Sequence, residues 1–145
     1  MEGFFVFILF RYNIYIMKIL SFKHFESSKD KFPNIKTVNV DDFTVLIGKD
    51  AVSNDHLSIN MANDDDLWFH AKGFPGSHVL IRINDKLPTL ETIKKVAHLA
   101  AKNSKAKDIV NVVYCKSKFV KKSSDMKPGQ VSIDYINSQE IQIEI

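Results

Sequence analysis

DLWFHAKGFPGSHVLIR, Asp66 to Arg82, holds the only tryptophan of the chain and two of its five histidines. A Gly-Phe-Pro-Gly turn parts two apolar runs, so the stretch reads as strand, turn, strand. The two-residue period of a strand then assigns its faces. Trp68, His70 and Lys72 share one; Leu67, Phe69 and Ala71 share the other. His78 and Arg82 fall together on the second strand with Leu80 between them. One side of this hairpin is core. The other carries rings, donors and a cation.

Working outward, Lys29 to Asn34 reads as a loop, and Thr37 to Ala51 gives two β-branched runs around Asp41-Asp42, a second hairpin. Ser53 is the expected N-cap of a short helix over about 53–60. Thr89 caps a longer helix over about 89–104, with Pro88 before it and Glu91 in the first turn. Its Ile93, Val96, Ala97, Ala100 and Ala101 form a stripe at helical spacing, and the opposite face collects Lys94, Lys95, His98, Lys102 and Lys105. Ile109 to Cys115 is a continuous apolar strand. Lys116 to Lys122 suggests a hairpin return, Lys127-Pro128-Gly129 a turn, and Val131 to Asp134 and Glu140 to Ile145 two closing strands. The expected fold is α+β: a single domain over 35–145, with both helices on a mostly antiparallel or mixed sheet. Residues 1–34 are read as an apolar leader and loop outside that core.

The chain has 145 residues, 45% of them hydrophobic and 26% charged, which suits one packed core. Its single cysteine, Cys115, excludes an internal disulfide and fits a reducing, cytoplasmic setting. Phe4 to Phe10 is strongly apolar, but Arg11 and Asn13 interrupt it well short of the ~20 residues that span a bilayer. No transmembrane span is expected, and Glu2 before the run argues against a secretory signal. Met17 is an alternative start. The net charge of +3 hides an asymmetry: from Lys94 to Lys127 ten lysines stand against Asp108 and Asp125. Such a segment attracts polyanions, although a merely solvated lysine surface accounts for the composition as well.

Most catalytic chemistries fail on residue type or geometry. His70 and His78 lack a third ligand nearby, so neither a metal nor another cofactor is expected. Ser77 and His78 are strand neighbours pointing to opposite faces, which bars the bond between nucleophile and base. Gly73 and Gly76 are turn glycines and form no phosphate loop. Aromatic rings beside lysines can bind nucleic acid; the same pattern is produced by a buried Trp68 and a satisfied His70.

At these residues the sequence resembles the NFACT RNA-binding domain, the NFACT-R module. The likeness runs through IGKDAVSNDHLSINMANDDDLWFHAKGFPGSHVLI, HLAAKNSKAK and VYCKSKFVKKSSDMKPGQV, covering about Val38 to Val131. It includes Asn54, Asp55, Asp66, Trp68, His70, Pro75, Gly76, Ser77, His78, Lys121, Lys122, Pro128 and Gly129; the family has Asn where Asp50 stands and a Gly near Asp125. The resemblance implies an α+β module of ribosome quality control that binds tRNA or the large ribosomal subunit, with no catalytic residue. Read as a stand-alone form, it is not expected to tail peptides. Small forms tied to DNA sensing keep double-stranded DNA as a further ligand. The expected nucleic-acid contacts are Trp68, His70, Lys72, His78, Arg82, Lys94, Lys95, Lys102, Lys121, Lys122 and Lys127, through a lysine-rich basic face and the His70/His78 hairpin. Asn54, Asp55, Asp66, Pro75, Gly76, Ser77, Pro128 and Gly129 are expected to set the turns. A protein-docking module with solubilising lysines is the rival expectation.

Overall fold

The computed structural model describes residues 34–145. Expectations about the apolar leader and Met17 lie outside the described residues. Two strands, β1 (Ile35–Val40) and β2 (Phe43–Gly48), meet in a two-residue turn, Val40 opposite Phe43. Both turn residues, Asp41 and Asp42, have positive φ (46° and 69°), as the tight turn that matches strand twist requires. Helix α1 (Ala51–Asp55) follows and widens without a break into a π-helical segment, His56–Met61. The opening stretch supplies β3 (Leu67–Ala71) and β4 (Val79–Ile81), paired Leu67 to Ile81, Trp68 to Leu80 and Phe69 to Val79. Then come α2 (Leu90–Lys102), β5 (Ile109–Lys116), β6 (Val120–Lys121), β7 (Ser132–Ile133) and β8 (Gln139–Glu144).

Six strands form one sheet in the order β1-β2-β4-β3-β5-β8, and every neighbouring pair is antiparallel. The fold is α+β, as the strand-helix-strand order implied. On one face Val45, Ile47, Phe69, Ala71, Val79, Ile81, Val112 and Tyr114 pack under the α2 stripe of Val96, Ala97, Ala100 and Ala101. The alanines let the helix lie close. Thr89 caps it, accepting from Thr92 N, and Asp41 at the hairpin tip accepts from Thr92 Oγ1 and Lys95 Nζ, both at 2.9 Å.

The opposite face buries Leu46, Trp68 and Leu80 under α1 and the π-helical segment, where Leu57 and Ser58 are buried. Sequence reasoning placed the cap of this first helix three residues late. Asp50 is the N-cap, its carboxylate accepting from Ser53 N at 2.7 Å, and Ser53 is buried inside the first turn. Lys116 to Lys122 also departs from the expected hairpin return. The chain leaves β5 through a 3₁₀ turn, Ser117–Phe119, and β6 pairs with β7 in a separate two-stranded ribbon.

Candidate nucleic-acid interface

The face carrying Trp68, His70 and His78 was expected to meet a ligand, and most of it is sealed. Trp68 is fully buried, and its indole Nε1 donates to Ser58 Oγ at 2.8 Å. Ser58 Oγ lies 2.7 Å from His78 Nδ1, which the indole bond leaves free to accept the serine proton. His78 is 2% exposed, and its backbone N–H donates to Asn54 Oδ1 at 3.0 Å. Burial holds its imidazole down to about 4, with the neighbouring His70 ring acting in the same direction. Trp68 and His78, expected as ligand contacts, are parts of a buried hydrogen-bonded chain.

Arg82, also expected as a ligand contact, is engaged within the domain. Asp66 beside it is wholly buried, and its carboxylate accepts from Asn63 N (2.8 Å), Ile83 N (2.8 Å) and Arg82 Nη1 (2.6 Å). The same Arg82 nitrogen donates to Met61 O at 2.7 Å. This pair ties the end of the π-helical segment, the start of β3 and the end of β4 into one knot. Asn54 makes a second one, donating to Gly76 O at 3.2 Å while accepting from His78 N. Gly76 itself presses on the end of α2: a Cβ there would stand 2.8 Å from Ser104 Cα. Pro75 O accepts from Lys105 N, and Ser77 N donates to Asn103 O.

Lys122, expected as a phosphate contact, is also engaged within the domain. Its ammonium sits 3.1 Å from Asp55 Oδ2 and donates to Lys127 O at 2.8 Å and Gln130 O at 2.9 Å. It fastens the Lys127-Pro128-Gly129 turn against α1, where Gly129, at φ +81°, approaches Ala51 so closely that a Cβ would lie 3.1 Å from the Ala51 Cβ. Lys72 and Lys95 are exposed, but they pair with Glu140 and Asp41.

What remains open is a half-buried His70 and a set of lysines. His70 stacks on Trp68 (centroids 5.9 Å, 26°) and meets His78 edge-on at 5.3 Å. Burial lowers its pKa, so at neutral pH it offers a neutral ring with one donor and one acceptor. Lys94, Lys102, Lys105, Lys107, Lys118, Lys121 and Lys127 are exposed, and none has a carboxylate partner among the described residues. They stand on both sides of the sheet. Those of α2 stand on the helix side of the sheet, whereas Lys121 belongs to the side covered by the π-helical segment.

Sequence reasoning missed Ser58 as the centre of the buried chain, because an isolated serine in a short amphipathic run carries no signal of what it will face. It also missed Ser117 and Lys118, in the unforeseen 3₁₀ turn. Among the described residues no group of three His, Cys, Asp or Glu side chains is placed to hold a metal, and no helix is long and apolar enough to cross a membrane. Cys115 is buried, and its thiol is pushed up to about 11, away from reactivity.

An antiparallel sheet clasped between a long helix and a short π-widened one, with most of its Trp-His face sealed and seven exposed lysines left without a carboxylate partner, defines a small α+β binding domain. Its sequence matches the NFACT protein RNA binding domain across residues 31–135, and the chain belongs to that family. It is 45% identical over 93 residues to the Rqc2 homolog RqcH of Bacillus subtilis, matching 63% of this chain and 16% of that protein. Coiled-coil domain-containing protein 25 of Bos taurus is 33% identical over 102 residues, 66% of this chain and 49% of its own length. The chain thus spans about a sixth of the RqcH relatives and about half of the coiled-coil protein. Among solved structures it resembles the C-terminal part of the fibronectin/fibrinogen-binding protein of Streptococcus suis, with TM-score 0.67 and 34% identity over 77% of this chain and 45% of that one.

Proposed function

We propose that this domain is a non-enzymatic RNA-binding module of ribosome-associated quality control, working in the cytoplasm on tRNA or the large ribosomal subunit. The observation that carries the reading is the seven exposed lysines of the Lys94–Lys127 segment without a carboxylate partner, next to four others that have one (Lys72, Lys95, Lys116, Lys122). Unpaired ammonium groups are available to phosphates at no cost of breaking an ion pair. Family membership and the RqcH relatives support RNA as the polyanion. His70 adds a neutral donor and acceptor on the same side as Lys121, suited to an unpaired base edge.

The test is binding of a labelled tRNA by fluorescence anisotropy at two salt concentrations. With about five phosphate contacts, affinity falls roughly a hundredfold between 50 and 200 mM salt. Indifference to salt refutes the proposal. Duplex DNA is the comparison ligand, because a preference for it would move the domain to the DNA-binding alternative.

One observation favours a protein partner as a second reading. Leu87 is 82% exposed and lines a groove of about 360 Å³ together with Leu67, Pro88, Ile93 and Phe119. Neutralising the unpaired lysines would leave such docking intact while abolishing RNA binding.

A further inference from the structure

Between the π-helical segment and the link from β5 to β6 lies a second pocket, of about 300 Å³. Ser58, Ile59 and Ala62 form one wall; Ser117, Lys118 and Lys121 form the other. Its size is at the small end of ligand sites, room for one nucleotide and too little for a base pair. The link is held in place from beneath, since Ser117 N donates to Asp66 O at 2.8 Å and Lys118 N to Asp64 O at 3.2 Å. The pocket thus stands on the same buried knot that anchors Arg82.

Three features give the pocket a chemistry. Lys118 and Lys121 line it without a carboxylate partner, the Lys118 ammonium resting 5.2 Å from the centre of the Phe119 ring. Ser117 is 7% exposed, and its Oγ is buried with no hydrogen-bond partner. Buried hydroxyls are normally satisfied, so one left without a partner on a pocket wall marks a place where a ligand group can supply it. Because this Oγ is buried, a ligand reaches it only once the side chain turns about χ1. Ile59, Ala62 and Val120 add an apolar surface, and Asp64 contributes a carboxylate, leaving the two unpaired ammonium groups in excess. By contrast Ser58 Oγ is already bonded to Trp68 and His78, and Lys122 to Asp55.

We infer that this pocket seats one ribose-phosphate unit of single-stranded RNA, with Lys118 and Lys121 on the phosphodiester and the Ser117 hydroxyl on the ribose 2′-OH. The assignment rests on the RNA-binding reading and adds to it a site that tells RNA from DNA. An ammonium pair alone would hold either polymer. The serine is what discriminates.

The experiment measures binding of a labelled single-stranded RNA and of DNA of the same sequence to the whole chain, its Ser117→Ala variant and its Lys121→Gln variant. The wild type is expected to prefer RNA. Ser117→Ala, which removes a hydroxyl that has no partner in the free protein, keeps the melting temperature, weakens RNA binding by about 3–10-fold and leaves DNA binding unchanged. Lys121→Gln weakens both polymers alike and lowers the salt slope by about one contact. A wild type that binds the two polymers equally, or a Ser117→Ala chain that keeps its RNA preference, overturns the pocket assignment while the RNA-binding reading stands. A wild type that binds no RNA at either salt concentration overturns that reading itself. Adenosine monophosphate is the remaining arm: if it shifts the amide signals of Ser58, Ser117 and Lys121 and the RNA does not, the site takes free nucleotides and its assignment to the polymer is wrong.

Discussion

Replacing Asp66 by asparagine should destabilise the domain far more than its single-atom change suggests. The carboxylate is fully buried and accepts three hydrogen bonds, two on Oδ2 from Asn63 N and Arg82 Nη1 and one on Oδ1 from Ile83 N. An asparagine best keeps its oxygen where two donors converge, which turns its amide nitrogen toward the Ile83 N–H. One buried backbone donor is then unsatisfied, at about 1–3 kcal/mol. The guanidinium also loses its counter-ion. Breaking a buried pair this way costs about 3–5 kcal/mol, and the 18% exposure of the Arg82 side chain lets water relieve part of it, so the expected total is about 3 kcal/mol. For a domain of this size that lowers Tm by roughly 12 °C, read by Trp68 fluorescence or by the shift of the urea midpoint. Arg82→Gln should lose a similar amount, while its RNA affinity, measured where the variant is folded, stays at the wild-type value. A loss under about 1 kcal/mol in Asp66→Asn would refute the account of Asp66 as a buried hub. Full stability with lost RNA binding in Arg82→Gln would return Arg82 to the interface.

Two further outcomes follow from the same geometry. His78 titrates near an ordinary 6.5 in the unfolded chain and at about 4 when folded, so the unfolded state takes up a proton first as pH falls. Stability is complete above about pH 6.5 and drains away toward pH 4, on the order of 3 kcal/mol in all; urea midpoints at about pH 7.5 and pH 5 should therefore differ more in the wild type than in His78→Gln, and equal differences would contradict the assignment. Lys122→Gln should cost about 1–2 kcal/mol and speed hydrogen exchange of the amides from 123 to 130, because it releases the Lys127-Gly129 turn from α1. Unchanged exchange there would show that the clamp holds nothing.

The fold was legible where a local rule has one outcome. Asp41-Asp42 between β-branched runs leaves a tight hairpin, and the spacing of Val96, Ala97, Ala100 and Ala101 leaves a helix with one packed face; both are present at those residues. The candidate site was legible only in part, because alternation along a strand tells which residues share a face but not what covers it. Trp68, His70 and Lys72 do share a face, yet α1 and the π-helical segment close over Trp68 and leave His70 half open. That covering depends on contacts between residues such as Ser58 and His78, distant in sequence and silent in any local pattern. Charge misled for a related reason. A run of lysines records how many ammonium groups there are, not which of them a carboxylate from another element will neutralise, and here Asp41, Asp55, Asp65 and Glu140 each claim one. Folding therefore sorts the basic residues into those that hold the domain together and those left for a polyanion. Lys121 and Lys122 are adjacent in sequence and fall on opposite sides of that division, so the effect of neutralising them as a pair cannot be read as evidence for either role; only the single substitutions separate a loop clamp from a phosphate contact.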